Sequence, residues 1–143
     1  MDQKLDPDAT QLGMLMSLPT ETPLAVLNLF EFNEVANYQS GDPEFETSTA
    51  EISGQEAFHL YSEVAGKFLE DLGGRVAMSI PADQVLIGPP SANWHLAAIM
   101  YFPSRGAFLQ MLSDAEFQHA SRHRKAALKN HLMVHLNGET FKN

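Results

Sequence analysis

The side chains able to do chemistry in this chain are six histidines, a few arginines and tyrosines, and one asparagine set in an apolar run. Cysteine is absent, which removes thiol nucleophiles, thiolate zinc sites, iron–sulfur clusters and disulfides together. His119 and His123 stand four apart on a predicted helix, about 5–6 Å between Cβ atoms, close enough to share a metal ion. Arg122, Arg124 and Lys125 surround them, and that positive charge opposes a divalent cation, so no metal site is expected. His131 and His135 have the same spacing on a predicted strand, where four residues span ~13 Å, and they cannot chelate one ion together. No Ser-His-Asp order, Gly-rich phosphate loop or pair of catalytic carboxylates stands out, and Gly73-Gly74 reads as a helix C-cap.

Alternate residues of a strand share a face, which sorts the remaining candidates. In the run from 94 to 102, Trp94, Leu96, Ala98, Met100 and Phe102 form one face, and His95, Ala97, Ile99 and Tyr101 the other. The same division sets Arg75, Ala77 and Ser79 against Val76, Met78 and Ile80, and His131, Met133 and His135 against Leu132, Val134 and Leu136. The bulky apolar sets are expected to face helices and the polar sets a pocket. The candidate ligand-binding wall is therefore Arg75, Ser79, His95 and Tyr101, with His131 or His135 behind. Asn28 interrupts a buried strand, where its amide must find partners or destabilise the fold by about 1–3 kcal/mol. Alternation puts it with Val26 and Phe30 on the helix side, so it reaches a pocket only if a bulge re-aims it, and ligand contact and structural role both stay open.

The elements that must position these groups are legible in outline. Asp6-Pro7 opens a short helix with Leu12, Leu15 and Met16 at helical spacing, ended by Leu18-Pro19. LAVLNLFEF (24–32) is a strand buried on both faces. A polar, acidic stretch with the turn signal Gly41-Asp42-Pro43 follows as a long surface loop, 33–52. Ser53-Gly54-Gln55-Glu56 is a capping box that opens an amphipathic helix through Leu72. GRVAMSIP (74–81) and the short DQVLIG (83–88) read as strands, WHLAAIMYF (94–102) as another, and HLMVHL (131–136) as the last. Between them lie two helical pieces, the first starting at Pro103-Ser104 and the second at a capping box, Ser113–Glu116. The fold class is thus α+β, with the β-α-β-β-α-β order of a ferredoxin-like sheet and an extra N-terminal helix. The divisions are a helical extension, 1–23, and the sheet domain, 24–138. The sheet's second face also needs cover, and a second copy of the sheet supplies it, which predicts a homodimer.

Composition narrows the function classes. A chain of 143 residues, 44% hydrophobic, suits one folded domain with its own core. The net charge of −9 is uneven: residues 1–56 hold eleven acids against Lys4 alone, and the remainder is nearly neutral. The one basic cluster, at 119–131, is short, so nucleic-acid binding is not expected. The start lacks the pattern of a secretory signal, and no apolar run approaches the ~18 residues of a membrane span, so the expectation is a cytoplasmic protein with no membrane partner.

NLFEF (28–32), SGQEAFHLY (53–61), GGRV (73–76), VLIGP (85–89), Trp94 and FPSRGAFLQMLSDAEFQHASRHRKAAL (102–128) together resemble the domain of unknown function family 1330. That family lies within the dimeric α+β barrels, and the resemblance spans about residues 8–136. It implies two ferredoxin-like subunits packing their sheets into a shared barrel with a pocket in each. It also places the His123-Arg124 pair in the family's pattern after the second helix, where an imidazole and a guanidinium would meet an anionic or carbonyl ligand. Without a ligand, the same bases complement the helix dipole and the acidic segments. Haem-degrading relatives use an Asn on the first strand, a Trp on the third and a His on the second helix, for which this chain offers Asn28, Trp94 and His119 or His123.

The functional expectation is a small homodimer, either an enzyme or a binder. As an enzyme it would use the pocket for acid/base or cofactor-free oxygen chemistry on a small, partly apolar metabolite, with His123, Arg124 and Tyr101 as catalytic candidates. No cofactor is expected in that reading. The alternatives are a non-catalytic homodimer that binds a metabolite, a protein whose acidic loop recruits a partner, and, more distantly, a haem protein.

Overall fold

The structure is a computed structural model that describes residues 5–47 and 51–142; Lys4 and part of the acidic loop, 48–50, lie outside the described residues. Four antiparallel strands, β1 (Leu24–Phe32), β2 (Arg75–Pro81), β3 (Leu96–Phe102) and β4 (Leu128–Asn137), form one sheet in the order β2-β3-β1-β4. Helix α1 (Ala9–Ser17) precedes the sheet, and a single turn, α2 (Pro43–Glu46), sits in the acidic loop. Helices α3 (Gly54–Asp71), α4 (Arg105–Ser113) and α5 (Ala115–Ala127) complete the β-α-β-β-α-β order, with a 3-10 turn after β4. The ferredoxin-like α+β arrangement expected from the sequence is the one observed.

Local chemistry explains the element ends. Ser53 and Glu56 form the reciprocal capping box that starts α3. After the C-cap Leu72, Gly73 takes the left-handed conformation, φ +85°, that releases the chain into β2. Three details differ from expectation. The box opening α1 is Asp8 with Gln11, so the cap lies two residues after the expected Asp6. The N-cap of α5 is Asp114, which receives the backbone N–H groups of Glu116 and Phe117, rather than Ser113. Residues 83–88 form no strand: Leu86 and Ile87 are 81% and 89% exposed in a connection running from 82 to 95. Three successive apolar residues look like a strand, but Pro81 before them and Gly88-Pro89-Pro90 after them leave no room for ladder pairing.

The register sorts the sheet into cross-strand rows. On the side covered by α3 and α5, the rows are Val76–Met100–Val26–His135, Ser79–Ala98–Asn28–Met133 and Pro81–Leu96–Phe30–His131. On the other side they are Arg75–Tyr101–Ala25–Leu136, Met78–Ile99–Leu27–Val134 and Ile80–Ala97–Leu29–Leu132. The core lies on the helix side, where Leu24, Val26, Phe102, Phe108 and Phe117 meet Leu69 of α3. Each large side chain fully buried there contributes roughly 1.5–3 kcal/mol.

Two face assignments are corrected by this register. The chain inserts an extra residue at Ala77 opposite β3, so the alternation of β2 reverses after Val76. Ser79 consequently faces the helices, and Met78 and Ile80 face away. On β4 the assignment is inverted throughout. His131, Met133 and His135 point to the helices, and Leu132, Val134 and Leu136, 37–45% exposed, point out. The expectation sent bulky apolar residues to the helices, but this sheet is apolar on both sides.

Candidate ligand-binding site

A pocket of about 190 Å3 opens between the sheet and α3. Its floor is built from the helix-side rows, including Val26, Asn28, Phe30, Ala98, Met100 and His131, and its roof from Phe58, Tyr61, Ala65, Gly66 and Leu69 of α3. The small residues Ala65 and Gly66 above and Ala98 below keep this space open. A volume of this order holds about one aromatic ring with a small substituent, since an apolar cavity of roughly 150 Å3 admits benzene.

The lining is mainly apolar; its polar side chains are Asn28 and His131 at one wall and the hydroxyl-bearing Tyr61, Ser62 and Ser79. Asn28, buried on β1, accepts a hydrogen bond at Oδ1 from His131 Nε2 at 2.8 Å. Its Nδ2 donates to the Val26 carbonyl and to the Met100 sulfur, both at 3.3 Å. Behind His131, Arg124 of α5 donates from Nη1 to His131 Nδ1 at 3.2 Å and to the Leu5 carbonyl at 2.6 Å. Arg124 Nη2 in turn reaches Asp6 at 2.9 Å, and Lys125 pairs with the same carboxylate at 2.8 Å. A polar chain thus runs from the surface to the pocket: Asp6, Arg124, His131, Asn28. Burial, with the Arg124 charge second, holds His131 down to about 3, so its ring is neutral at physiological pH.

The structure distributes the other candidates over separate places. Ser79 lines the pocket and is solvent-exposed. Tyr101 is on the opposite face of the sheet, with the Arg75 guanidinium 4.9 Å over its ring. His95 is exposed before β3, stacked on Phe32, whose backbone N–H it receives at Nδ1. Trp94 lines an outer cleft with Glu31, Asp83 and Lys129. His123 is on α5, where the Tyr38 hydroxyl meets its Nδ1 at 2.6 Å. Burial, with Arg122 second, lowers the His123 pKa, and burial pushes the Tyr38 hydroxyl up to about 12. Tyr38 is therefore the donor to a neutral His123. His119 is exposed on the same helix, and no group of three or more metal-ligating side chains occurs among the described residues. Asn28, Trp94 and His119 or His123 do not converge on one site, so the haem-degrading arrangement does not fit this chain.

Asn28 and His131 are thus brought together, although sequence alternation put them on opposite sides. The signal that could have joined them is the antiparallel pairing of β1 with β4, which sets His131 beside Phe30. The link from Asp6 to Arg124, 118 residues apart, has no local signal at all.

Comparison with known proteins sets the chain in context. No curated protein matches it significantly. Two crystal structures of the RPA0582 protein are similar at 29% identity: the methylated form, with TM-score 0.82 over 96% of both chains, and a form described as a protein of unknown function from Rhodopseudomonas palustris, with TM-score 0.81 over 95% of this chain and 97% of that one. A dimeric protein of unknown function with a ferredoxin-like fold from Bacteroides fragilis is more distant, at 11% identity and TM-score 0.46 over 83% of this chain and 99% of that one. Among the described residues no helix is long and apolar enough to cross a membrane. Residues 45–136, most of the sheet domain, match the domain of unknown function DUF1330, and the chain belongs to that family.

Proposed function

We propose that this protein binds a small, largely apolar molecule in the pocket between α3 and the sheet, and that it does so as a homodimer joined through the outer sheet face. The observation that carries the reading is an open, mainly apolar space in which buried Asn28 and half-buried His131 form a hydrogen-bonded polar wall. Apolar lining with one or two convergent polar groups is the usual makeup of a small-molecule site. Dimerisation is supported by the outer rows, where Leu27, Leu29, Ile99, Leu132, Val134 and Leu136 leave an apolar surface facing water.

Binding is favoured over acid–base catalysis by the state of the histidine. A ring held near 3 is too weak a base to take a proton at neutral pH, and general bases work best near the ambient value. In this reading Arg124 holds the wall, while His123 and Tyr101 belong to other surfaces.

Gly66 provides the test. A Cβ built there meets nothing within 4 Å, so a leucine enters open space at the lining, and removal of a helical glycine adds up to about 1 kcal/mol of stability. Gly66→Leu is expected to melt no lower than the parent yet to lose calorimetric binding of toluene. Equal binding by both proteins would place the ligand elsewhere.

A further inference from the structure

The polar wall admits one arrangement of protons, and that arrangement determines what the pocket accepts. A guanidinium donates and never accepts, so the Arg124 Nη1–H at 3.2 Å requires a lone pair on His131 Nδ1. The proton of the neutral ring is therefore on Nε2, which donates to Asn28 Oδ1. This fixes the amide, with its oxygen turned to His131 and its Nδ2 left to donate elsewhere. Both Nδ2 contacts are 3.3 Å: the one to the Val26 carbonyl is long for an N–H···O bond, and the other goes to a weak acceptor, a thioether on a flexible side chain that itself lines the pocket. No carboxylate is among the lining residues, and a guanidinium stands behind His131.

We infer that the pocket selects an uncharged, mainly apolar molecule bearing one acceptor oxygen, such as a ketone, aldehyde or ester carbonyl, which takes the Asn28 Nδ2–H, and that Arg124 is the positioning residue that sets this donor. The inference rests on the pocket reading above and names its ligand class. A carbonyl oxygen displaces the Met100 sulfur and gains a stronger acceptor's bond. An ammonium ligand finds no carboxylate among the lining residues to offset its desolvation and is repelled by Arg124. Asp6 and the Leu5 carbonyl hold Arg124 in place, so the segment before α1 contributes to selectivity without touching the ligand.

The experiment compares acetophenone with α-methylstyrene, in which CH2 replaces the carbonyl oxygen on the same skeleton. The wild-type protein is expected to bind the ketone about tenfold more tightly, the equivalent of one buried hydrogen bond. In Asn28→Leu that ratio falls to one or below. Nitrogen-15 spectra of the wild type are expected to show His131 protonated at Nε2, and Arg124→Leu is expected to give a tautomer mixture together with a weaker ketone preference. The wild-type ratio and spectrum stand even if a variant fails to fold. Equal or tighter binding of the hydrocarbon, or a wild-type proton on Nδ1, overturns the inference and leaves the pocket standing. If neither compound binds, the pocket reading falls and takes this inference with it.

Discussion

At the scale of single residues, His131 joins stability to the ligand recognition proposed above. Its folded-state value near 3 lies below the ordinary histidine value of about 6.5, because burial and the Arg124 charge both disfavour the charged ring. The unfolded chain takes up a proton that the folded chain refuses. Stability from this group is complete above about pH 6.5 and declines as the pH falls toward 3, with a slope of up to about 1.4 kcal/mol per pH unit. The depressed carboxylates Asp6 and Glu44 act at lower pH, so the interval from 7 to 5 isolates the histidines. His123 and His135 are also lowered by burial and add to the same slope. In urea titrations across that interval, His131→Gln is expected to lose about one proton's worth of the slope, and an unchanged slope would mean that the ring is charged in the folded protein. Asn28 was legible as a polar residue that needed partners. Its partner was not, because alternation cannot relate residues more than a hundred positions apart.

The elements divide into those with local punctuation and those set by pairing. β1 and α3 were readable to the residue, since a dense apolar run and a capping box mark their ends. The inserted residue at Ala77 and the orientation of β4 were not, because each is decided by a neighbouring strand. The 83–88 run misled for the reverse reason: its residues have strand propensity but no strand lies beside it. Charge asymmetry was a better guide, since the acidic segments do lie along the basic helix. Arg122 of α5 grips Glu44 of α2 through two bonds, 2.9 and 2.8 Å, and Asp6 takes Arg124 and Lys125. The Arg122 bonds hold the Glu44 carboxyl down to about 2. Glu44→Gln should destabilise the protein by about 1 kcal/mol in low salt, with the difference shrinking toward zero in about 1 M NaCl. A loss independent of salt in denaturant titrations would assign the effect to packing of the loop.

For the whole molecule, the outward sheet face and the helix-side pocket impose different requirements on one sheet. The inner rows leave a gap at Ala98 where the proposed ligand would sit, and the outer rows present branched apolar side chains suited to the proposed second copy. Light scattering should therefore give twice the chain mass of 15.8 kDa, and Val134→Arg, placed mid-row on β4, should give a single chain mass. A wild-type protein that stays monomeric at high concentration contradicts the shared-sheet proposal without touching the pocket. The pocket itself is tested most directly by methyl NMR of the methionines during titration with acetophenone. Met100 and Met133, which line the pocket, are expected to shift and saturate in the wild type and to stay fixed in Gly66→Leu, while Met14 and Met16 on exposed α1 do not move. Saturating shifts at α1 with none at Met100 would contradict the account.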